Sequence, residues 1–126
     1  FTLSCIHGDF GTAGSLGNPN SLLVINSDRF AALFSEEFQI MWGDGKRGVF
    51  GLQKPFRGPK TVTVDGTKFT VQFSPTSKST PYEQSTNGLI MNTIKRANRS
   101  FKAALFVFSA QRIADALEAR HDAGVD

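Results

Sequence analysis

A glycine-rich segment near the start of the chain carries polar residues suited to binding an anion. In residues 5–18, CIHGDFGTAGSLGN, four glycines separate the polar side chains His7, Asp9, Thr12, Ser15 and Asn18. Successive backbone N–H groups in such a loop can point at one anion, and hydroxyl groups add further donors. A tight surface loop without a ligand is the alternative that these residues leave open.

A second segment combines positive charge with aromatic rings. Residues 43–60, GDGKRGVFGLQKPFRGPK, hold five glycines, two prolines and five of the fourteen basic residues. The basic residues are Lys46, Arg47, Lys54, Arg57 and Lys60, and Phe50 and Phe56 lie among them. Cations neutralise phosphates and aromatic rings stack on bases, so the pattern predicts phosphate or nucleic-acid binding. A solvated connection with its phenylalanines packed onto the domain is equally compatible with it.

Residues for other kinds of chemistry are sparse. The chain contains no phosphate-binding glycine motif of the common kinds, no G-x-S-x-G and no H-E-x-x-H. Cys5 is the only cysteine, which excludes an intrachain disulfide and a Cys-based metal cluster, and we expect it to be a small buried apolar residue. The adjacent Glu36 and Glu37 point about 100° apart on a helix, so we expect a solvated face. We expect His121 to stabilise a helix end, and we expect neither a metal nor a cofactor.

Composition indicates one soluble globular domain with a sizeable core. The chain has 126 residues, of which 40% are apolar and 20% charged, with a formal net charge of +3. So small an excess is compatible with a phosphate-bearing partner without requiring one. No apolar stretch reaches the roughly 18 residues of a membrane helix, and no signal segment opens the chain. The compartment stays open, with the cytoplasm slightly favoured.

The first half of the chain has the pattern of a strand, a helix and a hairpin. The apolar run at 21–26 predicts a strand buried on both faces. Ser27 can cap a helix at 28–42, which ends at Gly43 and Gly45. Its predicted inward stripe is Phe30, Leu33, Phe34, Phe38, Met41 and Trp42. Around Asp65–Gly66, residues 61–75 alternate apolar and polar positions, which predicts a β-hairpin.

The second half has the pattern of helix, strand and helix. Ser85 or Thr86 is expected to cap a helix that turns Leu89, Ile90, Ile94 and Ala97 inward. The apolar run at 101–108 predicts another covered strand, Ser109 a cap, and Gly124 the end of the last helix. The order predicts an α/β fold: a mixed sheet with parallel strands at 21–26 and 101–108, covered by helices, plus a hairpin at about 61–73.

Two segments resemble the ends of catalytic units of the phospholipase D-like superfamily. Residues 94–126 resemble the opening of such a unit, in which an A-x-x-S turn leads to an apolar strand ending in Ser or Thr and a helix with the pattern I-x-x-A-L-x-x-A-x-x-x-G-V. The matching residues are Ala97, Ser100, Leu105 to Ser109, Ile113, Ala116, Leu117, Gly124 and Val125, whereas Arg120 stands where the pattern has its second Ala. Residues 20–42 resemble the close of such a unit, through Asn20, Leu22 to Ile25, Glu37, Phe38, Met41 and Trp42.

The resemblance implies a place within a longer polypeptide. Family members carry two units in tandem, so residues 1–45 would end the first unit, 46–85 form a linker with the hairpin, and 86–126 begin the second. The ends of the chain, Phe1 and Asp126, look cut. A homodimer or another association would then complete the fold.

The resemblance also implies a phosphodiesterase mechanism without a metal. One H-x-K histidine attacks phosphorus and a second protonates the leaving group, while Lys and a G-S-x-x-N element steady the phosphoryl oxygens. Gly14, Ser15 and Asn18 form such an element, so the catalytic candidates are Ser15, Asn18 and His7.

H-x-K occurs nowhere in the chain, and the family spacing places its Lys at Thr2 and its Asp at His7. We therefore expect a nuclease or phospholipase segment, on nucleic acid or phospholipid, that is inactive as the isolated chain. The alternative is a non-catalytic phosphate- or nucleic-acid-binding module that uses residues 43–60.

Overall fold

The structure, a computed structural model, describes residues 2–5, 21–75, 79–103 and 108–126. Helices and strands are mixed, as the α/β prediction requires. The elements are β1 (Thr2–Cys5), β2 (Ser21–Val24), α1 (Asp28–Trp42), β3 (Lys60–Val64), β4 (Thr67–Val71), α2 (Thr86–Lys95) and α3 (Gln111–Asp122). Two short 3₁₀ turns, Gly51–Gln53 and Tyr82–Gln84, lie in the connections.

The chain divides into two compact units. The first comprises Phe1–Gly48 and Val62–Phe69, and the second comprises Val49–Thr61 and Thr70–Asp126. The first unit therefore holds β1, β2, α1 and the tip of the hairpin, whereas the second holds the hairpin base, α2 and α3. The predicted division at 45 and 85 concerns a longer two-unit protein and stays a prediction.

The strand predicted at 21–26 is present as β2 but has an antiparallel neighbour. β1 and β2 pair with Thr2 opposite Val24 and Cys5 opposite Ser21. No parallel pair occurs among the described residues. Val24 is 64% exposed and Leu23 is also exposed, so the prediction of burial on both faces is wrong. A continuous apolar run is typical of strands covered by other layers, and the described two-stranded ribbon leaves these side chains uncovered.

Helix α1 begins at the predicted cap and buries only part of its predicted stripe. The Ser27 hydroxyl accepts a hydrogen bond from the Phe30 backbone N–H at 3.2 Å. The buried Phe30 ring contacts the rings of Phe34 and, from the hairpin tip, Phe69, with centroids 5.4 and 5.5 Å away. These aromatic contacts hold the helix to the hairpin tip within the first unit.

Three residues of α1 differ from the sequence-based expectation. Phe38 and Trp42 are exposed, with Trp42 at 60%, and stack on each other at a centroid distance of 5.5 Å. Glu37, expected on a solvated face with Glu36, is only 5% exposed and takes part in a polar interaction. Stacking four residues apart lets two large rings shield each other without a covering element.

The hairpin is confirmed at β3–β4. Asp65 and Gly66 occupy the turn with φ values of 48° and 79°, the left-handed conformation that a two-residue type I′ turn needs. Val62 is buried, and the hydroxyls of Thr61 and Thr70 hydrogen-bond across the strands at 3.0 Å. The alternating pattern thus gives the predicted strand pair.

The core of the second unit lies between α2 and α3. Its buried side chains are Met91, Ile94, Ile113 and Ala116, with Tyr82, Ala110 and Leu117 packed around them. Each large side chain buried here stabilises the unit by roughly 1.5–3 kcal/mol. Ile90, expected inward, is exposed, because Met91 and Ile94 occupy the face that α3 covers.

The helix ends of the second unit follow local capping rules, with one shift. Ser85 caps α2 as predicted, its hydroxyl accepting from the Gly88 N–H at 3.1 Å. The residue before α3 is Ala110, which makes no side-chain cap, so Ser109 is not the cap. At the other end, Gly124 N–H donates to the His121 carbonyl and Val125 N–H to the Arg120 carbonyl, which is the Schellman arrangement. Exposed His121 lies in this last turn, as expected.

The strand predicted at 101–108 is not seen in its described part. Residues 101–103 and 108 have no strand structure, and 104–107 lie outside the described residues. Phe101 N–H donates to the Asp126 carbonyl at 2.6 Å, and Asp126 N–H donates to the Arg99 carbonyl at 3.1 Å. The backbone on either side of residue 100 therefore pairs with Asp126, more than twenty positions further along the chain.

We predict that Gly88→Ala destabilises the chain. A Cβ at residue 88 would overlap the Tyr82 carbonyl oxygen and approach the backbone of Glu83 to 2.6 Å. We expect a loss of about 1–3 kcal/mol in the free energy of unfolding, although Ala favours helices over Gly by about 1 kcal/mol. Urea unfolding followed by circular dichroism measures it. Gly58→Ala is the control, because a Cβ there meets nothing within 4 Å; equal losses for the two variants would contradict the packing argument.

Candidate functional site

The glycine-rich anion loop of the sequence analysis falls outside the described residues. Cys5 ends β1, and the catalytic candidates His7, Ser15 and Asn18 follow it within 6–20. Their predicted roles therefore stay predictions.

Lys46 and Arg47 lie on a tight turn that closes α1. Gly43 adopts a φ of 62° and its N–H donates to the Gln39 carbonyl at 2.7 Å, ending the helix. Asp44 Oδ1 then accepts hydrogen bonds from the backbone N–H groups of Lys46 and Arg47, each at 2.9 Å. Both cationic side chains are exposed on this turn. The Asp44 carboxylate thus binds the backbone N–H groups of two basic residues, and their charged side chains remain available to an anion.

The side chains of Lys54 and Arg57 contact residues 73–74, which follow the end of β4. Lys54 Nζ donates to the Ser74 carbonyl at 2.7 Å, and the Arg57 guanidinium lies 5.4 Å from the centroid of the Phe73 ring. Lys60 is exposed at the start of β3. These three cations belong to the second unit and Lys46 and Arg47 to the first, so the predicted basic site is distributed over both units.

A groove of about 390 Å³ lies beside residues 54–57 of the basic segment, entirely within the second unit. Its lining residues are Phe56, Gly58, Pro59, Gln72, Glu83, Gln84, Leu89, Asn92 and Arg96. Phe56 is 49% exposed, which leaves much of its ring open. The groove therefore combines an accessible aromatic ring, three side-chain amides and one guanidinium.

Two of the three side-chain amides of the groove are held by backbone carbonyls. Gln72 Nε2 donates to the Gln84 carbonyl at 2.7 Å, and Asn92 Nδ2 donates to the Glu83 carbonyl at 3.3 Å. Gln72 Oε1 is buried and has no hydrogen-bond partner among the described residues. A buried acceptor without a donor is unfavourable, so a ligand N–H that reached it would be stabilised.

Charge is divided unequally between the units. The second unit contains ten Lys and Arg against five Asp and Glu, a formal charge of +5. The first contains four against six, a formal charge of −2. The groove thus belongs to a markedly basic unit, which the net charge of +3 does not reveal.

The sequence predicts only one side of this groove. Phe56 belongs to the predicted basic segment 43–60, whereas Gln72, Asn92 and Arg96 come from other parts of the chain. Arg96 follows α2, where a cation is expected for helix stability alone. These groups come together only when Gln72 and α2 pack against the segment that carries Phe56.

Comparisons with protein-family models, curated proteins and solved structures gave no match for this chain. Within the described residues, no helix combines the length and apolar character needed to cross a membrane. The same residues contain no group of three or more His, Cys, Asp or Glu side chains arranged to hold a metal ion.

We predict a depressed pKa for Asp44. The Lys46 N–H, followed by that of Arg47, stabilises the carboxylate and lowers its pKa below the ordinary 3.8. These bonds therefore contribute stability above the pKa of the unfolded chain, and that contribution disappears as pH falls through the lower folded value. A carboxyl ¹³C NMR titration should give a lower midpoint for folded chain than for the same chain in concentrated urea. A folded midpoint equal to or above the urea midpoint would refute the turn geometry.

Proposed function

We propose that this chain is a segment of a phospholipase D-like phosphodiesterase, joining the end of one catalytic unit to the start of the next. The observation that carries the proposal is the order β2, Ser27 cap, α1 and Gly43, the order in which a first unit of that family would close. The proposal includes the sheet of that family, with 21–26 parallel to 101–108 in the longer polypeptide.

The segment after α2 gives further support. The family pattern ends in G-V, and here Gly124 and Val125 form the Schellman turn that ends α3. Ile113 and Ala116, two other positions of the pattern, face the core. The spacing of the pattern therefore corresponds to two structural roles in this chain, core packing and the end of α3.

The proposed chemistry needs histidines from outside this chain. A histidine nitrogen forms a bond to phosphorus as the P–O bond to the leaving group breaks, and the second histidine donates its proton to that oxygen. The second histidine then removes a proton from water, whose oxygen displaces the first histidine. Ser15 and Asn18 would steady the phosphoryl oxygens by hydrogen bonds.

We predict that residues 1–126 alone do not hydrolyse phosphodiesters. Because H-x-K is absent from this sequence, turnover of bis-p-nitrophenyl phosphate, plasmid DNA and phosphatidylcholine should stay at background. The matched control is His7→Ala, which should be indistinguishable from the unaltered chain. Turnover in the unaltered chain that His7→Ala abolishes would instead make His7 the nucleophile.

A longer polypeptide tests the family proposal directly. The coding sequence on either side of these residues should encode two H-x-K motifs, and the protein with both should form a phosphohistidine that acid-sensitive ³²P labelling detects. Flanking sequence without either motif would refute the phosphodiesterase proposal.

A second proposal, a non-catalytic phosphate- or nucleic-acid-binding module, is favoured by the charge of the second unit. That unit carries +5, and Lys60 is exposed in it. A basic unit with exposed cations attracts polyanions without any catalytic residue.

We predict a salt-dependent affinity for single-stranded DNA. Each neutralised phosphate releases counterions, so three or four contacts should give a slope of roughly −2 to −3 in log K against log salt. Arg47→Ala and Lys60→Ala should each make the slope less negative by about 0.7. Lys68→Ala, an exposed cation of β4 outside the loop, is the control. Fluorescence anisotropy measures all four chains, and identical slopes throughout would leave residues 43–60 a solvated connection.

A further inference from the structure

We propose that the groove of the second unit binds one unpaired base of a single-stranded nucleic acid, with an adjoining phosphate at Arg96. The proposal rests on the nucleic-acid-binding function above and assigns the place where a base would bind. It follows from three features that share the groove: an open aromatic ring, an amide oxygen without a donor and a guanidinium.

Phe56 supplies the stacking surface. Its ring is 49% exposed at the groove, and its neighbours Lys54 and Arg57 are attached to Ser74 and Phe73. The ring is therefore presented by a loop that is held on both sides. Every base has a π-face, so such a ring accepts an unpaired base of any type.

Gln72 supplies a hydrogen-bond acceptor for the edge of the base. Its amide nitrogen is engaged by the Gln84 carbonyl, which fixes the amide and leaves Oε1 buried without a donor. Gln72 lines the groove, so a ligand donor that reached this oxygen would supply the hydrogen bond that it lacks. Adenine, cytosine and guanine each present an exocyclic amino group, which is the kind of donor that this oxygen lacks.

Arg96 supplies the charge for the phosphate. It is exposed at the groove and makes no ion pair with another described residue. Glu83 is the acid of the lining, and its Oε1 lies 3.8 Å from the Arg112 guanidinium. That guanidinium also lies over the Tyr82 ring, 4.4 Å from its centroid. Arg112 thus lies nearer than any other described cation to this negative charge and partly offsets it, while Arg96 is exposed at the groove, where an anion could meet it.

The size of the groove fits a single nucleotide. A volume of about 390 Å³ lies at the small end of ligand sites, which run from roughly 300 to 1,000 Å³. Bases stacked inside a duplex cannot reach a ring in such a groove without leaving the helix. The geometry therefore favours single strands over duplex.

The test is the affinity of the whole chain for a short fluorescent oligodeoxyadenylate, measured by anisotropy across a salt series. Phe56→Leu keeps apolar bulk but removes the ring, and it should weaken binding roughly 5- to 100-fold with no change in salt slope. Arg96→Gln should make the slope less negative by about 0.7. Phe108→Leu is the matched control: Phe108 is 44% exposed in the same unit, lies outside the basic segment 43–60 and does not line the groove. Its affinity should equal that of the unaltered chain.

The outcomes separate the site from the function on which it rests. If Phe56→Leu and Arg96→Gln bind like the unaltered chain while Lys60→Ala flattens the salt slope, nucleic-acid binding stands and the groove assignment is overturned. If the oligonucleotide does not bind at low salt, both fail. Equal competition by an unlabelled duplex would overturn the preference for unpaired bases. A loss of binding with Phe56→Leu but not Phe108→Leu supports the groove, provided that urea unfolding shows both variants equally stable.

Discussion

The second unit depends on one close backbone approach, where the Tyr82–Gln84 turn lies against the first turn of α2. That approach requires residue 88 to lack a side chain, because a Cβ there would overlap the Tyr82 carbonyl. Ser85 joins the two parts: its hydroxyl donates to the Tyr82 carbonyl at 2.6 Å and accepts from the Gly88 N–H. One side of this junction places Tyr82 against the α2–α3 core. The other side presents the carbonyls of Glu83 and Gln84, which hold the amides of the groove.

The candidate site is therefore supported on two sides, by a backbone junction and by side-chain contacts. The junction at 82–88 fixes one wall, and the attachments of Lys54 and Arg57 to residues 73–74 fix the segment that carries Phe56. These attachments occupy part of the hydrogen-bonding capacity of Lys54 and the face of Arg57. Lys54 and Arg57, which the sequence predicts as phosphate ligands, therefore already make contacts that stabilise the fold. The exposed side chains, Lys60 and Arg96, are better placed to meet an anion.

Most local signals in the sequence are borne out, because the interactions behind them span a few residues; the Ser109 cap is the exception. The Asp65–Gly66 turn, the Ser27 and Ser85 caps and the glycine end of α3 each involve groups within about five positions. Burial was predicted less well, because it depends on which distant element covers a face. Trp42 has an apolar side chain on the expected stripe and is nevertheless exposed. The groove was out of reach for the same reason, since Phe56, Gln72 and Arg96 are brought together only by folding.

The uneven distribution of charge supports phosphate binding under both proposals equally. It gives no argument for catalysis under either of them. A polyanion responds to charges within roughly one Debye length, about 8–10 Å, so the excess of one unit matters more than the sum over the chain. The net charge of +3 is the sum of −2 on one unit and +5 on the other. A phosphodiesterase segment and a binding module would both use the basic unit to attract a phosphate. Only a nucleophile distinguishes them, and the groove offers a ring, amides and a guanidinium, which can hold a nucleotide but cannot by themselves break its phosphodiester bond.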